Sequence, residues 1–263
     1  MLKWRAMRDA QLVRLCEKMA RDWDQRAREN ARYYVATTKP DWSEEEFFAS
    51  GRQLVANHIL NDLGNICQGK DPRQMRVLEI GCGVGRVTRA LTELFGEVYA
   101  VDVSAEMVRL ARSALAGTPN VFIYKNNGRD LSVLPKIPFD FAFSCTVFQH
   151  IPSLAIIESY LREVYRLLRR GALFKFQVQG KADVKTSLDD TWLGVGVSPK
   201  MAQEMADRCG FELRYHHGAG QQYFWLWFFK RDRVRAAPYK LSVIARRLLR
   251  RAAARIPSNG LFR

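Results

Sequence analysis

Apolar residues recur at two different spacings along this chain. Over residues 1–70 they fall three or four positions apart, which predicts helices. The helical pattern is interrupted at TTKPDWSEEE, where Ser43 is followed three residues later by Glu46. This is the spacing of a capping box, in which each side chain hydrogen-bonds the backbone N–H of the other residue. We therefore predict a second helix from about Glu44 towards Leu63.

From Arg76 onwards, short apolar runs alternate with helical patterns. The strand-like runs are RVLEI, EVYAVDV, NVFIYKN, FDFAFSC and ALFKFQV, and between them lie VTRALTEL, AEMVRLARSAL and IIESYLREVYRLL. Such alternation predicts right-handed βαβ units and a parallel sheet covered by helices on both faces. A further helix ends at Gly210, and the runs FELRYHH and QYFWLWFFK follow, separated by GAGQ, which predicts an antiparallel hairpin. The prediction is a doubly wound α/β fold whose mostly parallel, seven-stranded sheet ends in this hairpin.

The first of these strands ends in a glycine-rich turn, in the sequence LEIGCGVGR. Gly81, Gly83 and Gly85 stand at alternate positions before a helix, and glycine lets the backbone approach a bound ligand closely. The dinucleotide fingerprint G-x-G-x-x-G would require a glycine in place of Arg86, and no Walker A lysine follows. Glu79, two residues before the turn, would repel a pyrophosphate but attract an ammonium group. The turn therefore favours a cofactor that carries an amino acid.

This pattern resembles the class I S-adenosylmethionine-dependent methyltransferases over roughly residues 75–230, with LEIGCGVGR as its most specific part. The resemblance implies a Rossmann-like methyltransferase fold with S-adenosylmethionine as the cofactor. It assigns the methionine portion and ribose of the cofactor to Glu79, Gly81, Gly83 and Gly85. Asp102 ends the next strand, 21 residues after Gly81, where a carboxylate can accept two hydrogen bonds from the ribose diol.

The third strand ends in YKNNGRDL, where the family often has a Gly-Asp pair that contacts the adenine amino group. Asn127 occupies the usual place of the acid, and Asp130 follows a turn later. Either side chain can accept a hydrogen bond from adenine, so the resemblance leaves the choice between these two residues open.

His150 is the candidate catalytic residue. It directly follows the fourth strand, at the sheet edge where ligands of open α/β sheets bind. Histidine titrates near neutrality and can take a proton from a hydroxyl or ammonium acceptor. The alternative is that His150 caps the turn at Ile151 and Pro152 or lines the cofactor pocket. Because the sequence shows no cluster of His, Cys and acidic residues at ligand spacing, we predict no metal.

Two further segments are candidates for contact with the acceptor. The loop QGKADVKTSLDDTWLGVGVS follows the last parallel strand and supplies Asp189, Asp190, Thr191 and Trp192. Loops carry specificity more often than strands do, although this one can equally be a solvated connection. The N-terminal helical segment is predicted to pack across the sheet edge as a lid, from which Tyr33, Tyr34 and Trp42 either reach an acceptor or pack in the core.

Basic residues are concentrated in the last part of the chain. Of the net charge of +15, residues 230–263 contribute +10, from eleven Lys or Arg and one Asp. Residues 239–256 form a predicted amphipathic helix with an arginine-rich face, and the nearly balanced charge of residues 1–229 argues against a nucleic-acid-binding domain. Peripheral contact with an anionic membrane through residues 238–256 and packing on its own domain are the two leading interpretations of the tail, and RNA binding is the third.

Composition completes the prediction. No run approaches the about 20 apolar residues of a membrane-spanning helix, and charges interrupt the N-terminus, so we expect a cytoplasmic protein. We predict a helical lid over residues 1–70, a cofactor-binding methyltransferase core over 71–232 and a basic tail over 233–263. The predicted function is methyl transfer from S-adenosylmethionine to an oxygen or nitrogen atom of a small, sugar-linked or lipid-linked acceptor. The alternatives are an RNA methyltransferase and a non-catalytic protein that binds S-adenosylmethionine.

Overall fold

A computed structural model describes residues 2–181, 184 and 191–231 of the chain, with side chains from residue 10 onwards. One compact unit spans Met1–Lys230. The predicted tail over 233–263 lies outside the described residues, as do Asp189 and Asp190. Membrane contact through residues 238–256 therefore stays a prediction.

Seven α-helices are formed by the described residues. They are α1 (Leu2–Val35), α2 (Glu44–His58), α3 (Leu63–Cys67), α4 (Arg86–Leu94), α5 (Ala105–Ala114), α6 (Leu154–Leu167) and α7 (Pro199–Cys209). The predicted capping box begins α2: Ser43 Oγ accepts from the N–H of Glu46 at 3.2 Å, and the Glu46 carboxylate accepts from the N–H of Ser43 at 3.1 Å. The helix ends at His58 rather than continuing towards Leu63, because a 3₁₀ turn over Leu60–Asp62 separates it from α3.

Seven strands of the described chain form one sheet. They are β1 (Arg76–Ile80), β2 (Glu97–Asp102), β3 (Val121–Lys125), β4 (Phe139–Ser144), β5 (Leu168–Val178), β6 (Phe211–His217) and β7 (Phe224–Lys230). Their order is β3-β2-β1-β4-β5-β7-β6; the first five are parallel, and β7 pairs antiparallel with both β5 and β6. The predicted doubly wound sheet and its terminal hairpin are confirmed. The order reverses between β1 and β4, and ligands of such sheets bind at this switch point.

β5 begins at Leu168, immediately after α6, whereas the apolar pattern predicted a strand from Ala172. The pairing of β5 with β4 shifts register between Phe139 and Phe141, and Gly171 has a φ of +74°. An irregularity of this kind lets a strand begin in one register and continue in another. Because two arginines precede this glycine, the pattern of apolar residues does not show where the strand begins.

The sheet has a hydrophobic core on each face. α6 and α7 pack on one face, together with Phe174, Phe176 and Phe228. α2, α3 and α4 cover the other face, which buries Leu173 and Phe229. Side chains of β5 and β7 therefore alternate between the two cores, and the run QYFWLWFFK contributes to both. Burial of each large apolar side chain stabilises the fold by about 2 kcal/mol, and these cores hold the strand ends of the site in place.

Candidate functional site

A pocket of about 230 Å³ lies at the carboxyl ends of β1, β2 and β4, beside the switch point of the sheet. Its lining comes from the glycine turn, the ends of β2 and β3, the segment after β4, helix α1 with the residues that follow it, and two segments near residues 192 and 222. The glycine turn, the ends of β2 and β3 and the segment after β4 come together because the carboxyl ends of parallel strands share one edge of the sheet. This is the edge at which the sequence predicts a cofactor.

The turn after β1 requires glycine at two positions because other segments press against it. Gly81 has a φ of +78°, and a Cβ built there would overlap the side chain of Val147. Gly83 has a φ of +52°, and its Cβ would lie 2.7 Å from Cγ2 of Val35, the last residue of α1. Both valines line the pocket, whereas Gly85 caps the start of α4 and is not among the lining residues. The turn therefore presents bare backbone to the pocket.

Asp102 lines the pocket at the end of β2. Its Oδ2 accepts from the N–H of Gly83 at 2.9 Å, and its Oδ1 accepts from the N–H of Ser104 at 2.9 Å. Burial raises the pKa of this carboxyl above its ordinary value, although the backbone hydrogen bonds act in the opposite direction. Each carboxylate oxygen can accept more than one hydrogen bond. The side chain is thus fixed by the backbone and can still accept from two hydroxyl groups of a ligand.

Two oppositely charged side chains near the glycine turn are buried with unpartnered atoms. Oε2 of Glu79 and Nε of Arg86 have no hydrogen-bond partner among the described residues. Burial raises the pKa of Glu79 to about 7, although the hydroxyl group of Thr88 and the charge of Arg86 lower it. Burial lowers the pKa of Arg86, whose Nη1 donates to Oγ of Ser50 at 3.4 Å. Arg86 lines the pocket and Glu79 does not, so contact between Glu79 and a ligand ammonium group stays a prediction.

At the end of β3 the structure brings Asn126 to the pocket rather than Asn127 or Asp130. Asn126 is buried, its Nδ2 donates to the hydroxyl of Tyr160 at 2.7 Å, and its Oδ1 has no partner among the described residues. Asn127 is exposed, and its Oδ1 accepts from the backbone N–H groups of Arg129 and Asp130. The free acceptor that faces the pocket is therefore one residue earlier than expected. The strand-like run NVFIYKN ends at Asn126, and this signal could have found it.

His150 lines the pocket, and both its ring nitrogens have partners. Nδ1 lies in hydrogen-bond contact with the carbonyl oxygen of Trp192, to which it can only donate, and Nε2 lies 3.0 Å from Nε2 of Gln149. These two partners are best matched by the tautomer that carries its hydrogen on Nδ1. Oε1 of Gln149 accepts from Nε2 of Gln177 at 2.7 Å, and Oε1 of Gln177 accepts from the N–H of Thr146 at 2.9 Å. This network joins the segment after β4 to residue 192. It fixes the imidazole in place, and a role as a base would require Gln149 to release Nε2.

Helix α1 is attached to both sides of the pocket. Oδ1 of Asp24 accepts from Oγ of Ser104 at 2.6 Å and from the N–H of Glu106 at 3.0 Å, at the start of α5. A carboxylate is favourable at this place because of the partial positive charge of a helix N-terminus. On the other side, Oδ2 of Asp22 accepts from Oγ1 of Thr191 at 2.9 Å. These contacts hold α1 against the pocket.

The aromatic residues proposed for contact with an acceptor fall in different places. Tyr34 lines the pocket, Tyr33 lies against Tyr34 with ring centroids 5.3 Å apart, and Trp42 packs on a small core cluster. Trp192 also lines the pocket, whereas Thr191 is buried. The sequence analysis missed Trp23, whose ring centroid lies 6.1 Å from that of Trp192. Helical spacing alone does not show which aromatic residue of α1 faces a ligand.

Within residues 2–181, 184 and 191–231, no group of three or more His, Cys, Asp or Glu side chains could hold a metal ion. No helix in these ranges is long and apolar enough to cross a membrane. His216 and His217 lie exposed on β6 and are not among the residues that line the pocket.

The strand order and the glycine turn at the switch point define a Rossmann-like methyltransferase fold. Residues 77–171 match the family described as "Methyltransferase domain". The chain is 31% identical over 129 residues to malonyl-[acyl-carrier protein] O-methyltransferase from Enterobacter lignolyticus, a match that covers 48% of this chain and 47% of that protein. It is 30% identical over 117 residues to ubiquinone biosynthesis O-methyltransferase from Xanthomonas oryzae pv. oryzae, covering 43% and 48%. The chain thus spans about half the length of the curated relatives it matches.

A solved structure shares the fold over most of the chain. Magnesium protoporphyrin IX methyltransferase from Synechocystis PCC 6803, solved with bound SAH, superposes with a TM-score of 0.58 at 14% identity. The superposition covers 82% of this chain and 99% of that one. Residues 77–171 therefore carry a methyltransferase domain, and the fold is that of the class I S-adenosylmethionine-dependent methyltransferases.

Proposed function

We propose that this protein transfers the methyl group of S-adenosylmethionine to an oxygen atom of a small, sugar-linked or lipid-linked acceptor. The observation that carries the proposal is the junction of Gly83 with Asp102 at the pocket wall. Bare backbone leaves room for a nucleoside, and a carboxylate that can accept from two hydroxyl groups suits a ribose diol. The same turn has neither the lysine of a Walker A loop nor the glycine at position 86 that the dinucleotide fingerprint would require.

The unpartnered buried atoms of the site fit the remaining parts of this cofactor. Oδ1 of Asn126 would accept from the adenine amino group, and Arg86 would donate to the carboxylate of the methionine portion. Glu79 would accept from its ammonium group. A buried polar atom without a partner costs about 1–3 kcal/mol, and a ligand that supplies the partner recovers this free energy on binding. The cofactor fit therefore rests on the unsatisfied atoms of two lining residues, Arg86 and Asn126, whereas Glu79 does not line the pocket.

When bound, S-adenosylmethionine supplies an electrophilic methyl group, which a lone pair of the acceptor takes while the sulfur retains the electrons of the broken bond. Helix α1 and residues 192–193 also line the pocket, and they would exclude water and orient the acceptor. Correct positioning contributes much of the acceleration in such a reaction. The network of Gln177, Gln149 and His150 holds the segment at Trp192 in place. The proton of the acceptor hydroxyl group would be released to solvent as the new bond to the methyl group forms.

The choice of oxygen is supported by the two curated relatives named above, both of which are O-methyltransferases. It is tested by incubating the purified chain with labelled S-adenosylmethionine and cell extract fractionated by chemical class. We expect S-adenosylhomocysteine to accumulate with one small-molecule or lipid fraction, and the labelled product to carry an ether or ester methyl group. An N-methyl product, or accumulation only with RNA, would contradict this assignment.

A further inference from the structure

Thr146 has a backbone conformation that is unfavourable for its side chain. In the part of the chain that the structure describes, two residues other than glycine have a φ in the left-handed region: Gln68 at +52° and Thr146 at +57°. Gln68 caps the end of α3, where this conformation is common. Thr146 is β-branched, lies two residues after the end of β4 and lines the pocket. A β-branched residue in this region is strained, and such strain is concentrated at functional sites.

The strained conformation of Thr146 is held by hydrogen bonds. Its backbone N–H donates to Oε1 of Gln177 at 2.9 Å, and its Oγ1 donates to the carbonyl oxygen of Cys145 at 2.7 Å. Gln177 lies on β5, is fully buried and is not among the residues that line the pocket. Its Nε2 donates to Oε1 of Gln149 at 2.7 Å, so both ends of this amide have partners. A buried amide that cannot turn without losing these bonds can balance the strain at Thr146.

The conformation of Thr146 determines where the next residue lies, because the two backbone torsions set the direction of the chain. Val147 lines the pocket and packs directly on the glycine turn, since a Cβ built at Gly81 would overlap its side chain. A change of Thr146 to a negative φ would redirect the chain after β4 and remove this contact. Gln177 thus reaches the cofactor turn through two intervening residues, although it does not line the pocket itself.

We propose that Gln177 is a positioning residue for the cofactor: it holds Thr146 in the left-handed conformation, and Thr146 in turn holds Val147 against the glycine turn. This inference rests on the proposed function. Without the amide of Gln177, Thr146 would relax, and the strained conformation would have to be restored each time the cofactor binds. The apparent affinity is then reduced by the fraction of molecules in the competent conformation.

Calorimetric titration of the full chain with S-adenosylhomocysteine tests the inference. Gln177→Met keeps the length of the side chain and removes its hydrogen-bonding groups. We expect Kd to rise about 5- to 30-fold, which corresponds to the cost of about 1–2 kcal/mol of a left-handed residue. Addition of Thr146→Asn should bring Kd back to within about twofold of the value for Thr146→Asn alone, because asparagine adopts a positive φ with little strain. A change at position 146 would not rescue a residue whose role is merely structural.

Gln68→Asn is the matched control for this rescue. It eases the other left-handed residue, which does not line the pocket, so it should leave the Kd of both the wild type and Gln177→Met unchanged. An unchanged Kd in Gln177→Met, a loss that Thr146→Asn does not reduce, or an equal rescue by Gln68→Asn would overturn the inference. If Gln177→Met alone fails to fold, the comparison is made in the Thr146→Asn background, where a rise in Kd of more than about twofold would overturn it.

Thermal unfolding tests the strain without a ligand. Thr146→Asn and Thr146→Ala both remove the threonine side chain, but asparagine tolerates a positive φ better than alanine does. We expect Thr146→Asn to have a Tm about 2–4 °C above that of Thr146→Ala. An equal or lower Tm would contradict strain at Thr146 and overturn the inference. Failure of the wild-type protein to bind S-adenosylhomocysteine would instead contradict the proposed function.

Discussion

The backbone N–H of Gly83 donates to Oδ2 of Asp102 at 2.9 Å, which ties the turn after β1 to the end of β2. The other oxygen of Asp102 accepts from the N–H of Ser104, so the carboxylate is fixed before any ligand arrives. Preorganisation of this kind reduces the entropy that a ligand must overcome on binding. The geometry makes Asp102 the residue on which nucleoside affinity should depend most strongly.

Replacement of Asp102 by Asn should weaken binding of S-adenosylhomocysteine about 10- to 100-fold, because hydrogen bonds to a charged acceptor contribute about 1.5–3 kcal/mol. Calorimetric titration measures the change in Kd. Glu93→Gln is the matched control, because this side chain is exposed and is not among the residues that line the pocket. An unchanged Kd for Asp102→Asn would show that the carboxylate does not contact the ribose.

Replacement of Gly83 by Ala should drive a methyl group into Val35 and weaken cofactor binding at least about tenfold. The double variant Gly83→Ala with Val35→Ala should recover most of this affinity, because the clash is removed. A residual loss of about 1 kcal/mol should remain, since φ at this position is +52°. Val35→Ala alone provides the baseline, and a double variant no better than Gly83→Ala would contradict the steric explanation.

The raised pKa of Glu79 makes stability depend on pH. This carboxyl ionises at about 7 in the folded protein, compared with its ordinary value of 4.5 in the unfolded chain. Between these values the folded state binds more protons, so the free energy of unfolding should fall as pH rises from about 4.5 to 7. The loss is at most about 3 kcal/mol at 1.36 kcal/mol for each pKa unit.

Chemical denaturation of the ligand-free protein across this pH window measures the effect. Glu79→Gln keeps the shape of the side chain and cannot ionise, so the variant should show a smaller decrease with pH. If the wild type and the variant had the same pH dependence, ionisation of Glu79 would not be its cause.

Replacement of His150 by Leu should lower the free energy of unfolding by about 1–3 kcal/mol, because Nε2 of Gln149 and the carbonyl oxygen of Trp192 lose their partner. Denaturation by urea gives the change. Turnover provides a second measurement: loss of a general base costs about 10²–10⁴-fold, and loss of a positioning residue should cost less. A pH–rate profile that keeps its shape in His150→Asn would support the positioning role, and loss of its acid limb would support the base.

The order of strands and helices follows from local patterns, and these patterns predicted it well. RVLEI and EVYAVDV are apolar because both faces of β1 and β2 are covered, and the capping box at Ser43 is a property of four consecutive residues. The start of β5 at Leu168 was missed because two arginines and a glycine precede its apolar part. The glycine turn was visible because its backbone conformation restricts the residue type.

The parts of the site that lie at the ends of successive parallel strands could be predicted from the sequence. Asp102 and the glycines lie at strand ends, so the alternation of elements placed them together. Contacts between residues far apart in the sequence left no such pattern. Asp22 hydrogen-bonds Thr191, and Trp23 contacts Trp192, only because α1 packs at the sheet edge. The sequence predicted Asn127 at the pocket, whereas the structure places Asn126 there, for the same reason. Burial against Tyr160 decides which of the two adjacent amides faces inward.

Calorimetric titration of the purified chain with S-adenosylhomocysteine tests the central claim most directly. The account predicts binding at one site per chain, with an affinity that Asp102→Asn reduces and Glu93→Gln leaves unchanged. Absence of binding by a folded protein, together with binding of a nicotinamide dinucleotide or a nucleoside triphosphate at the same pocket, would contradict it.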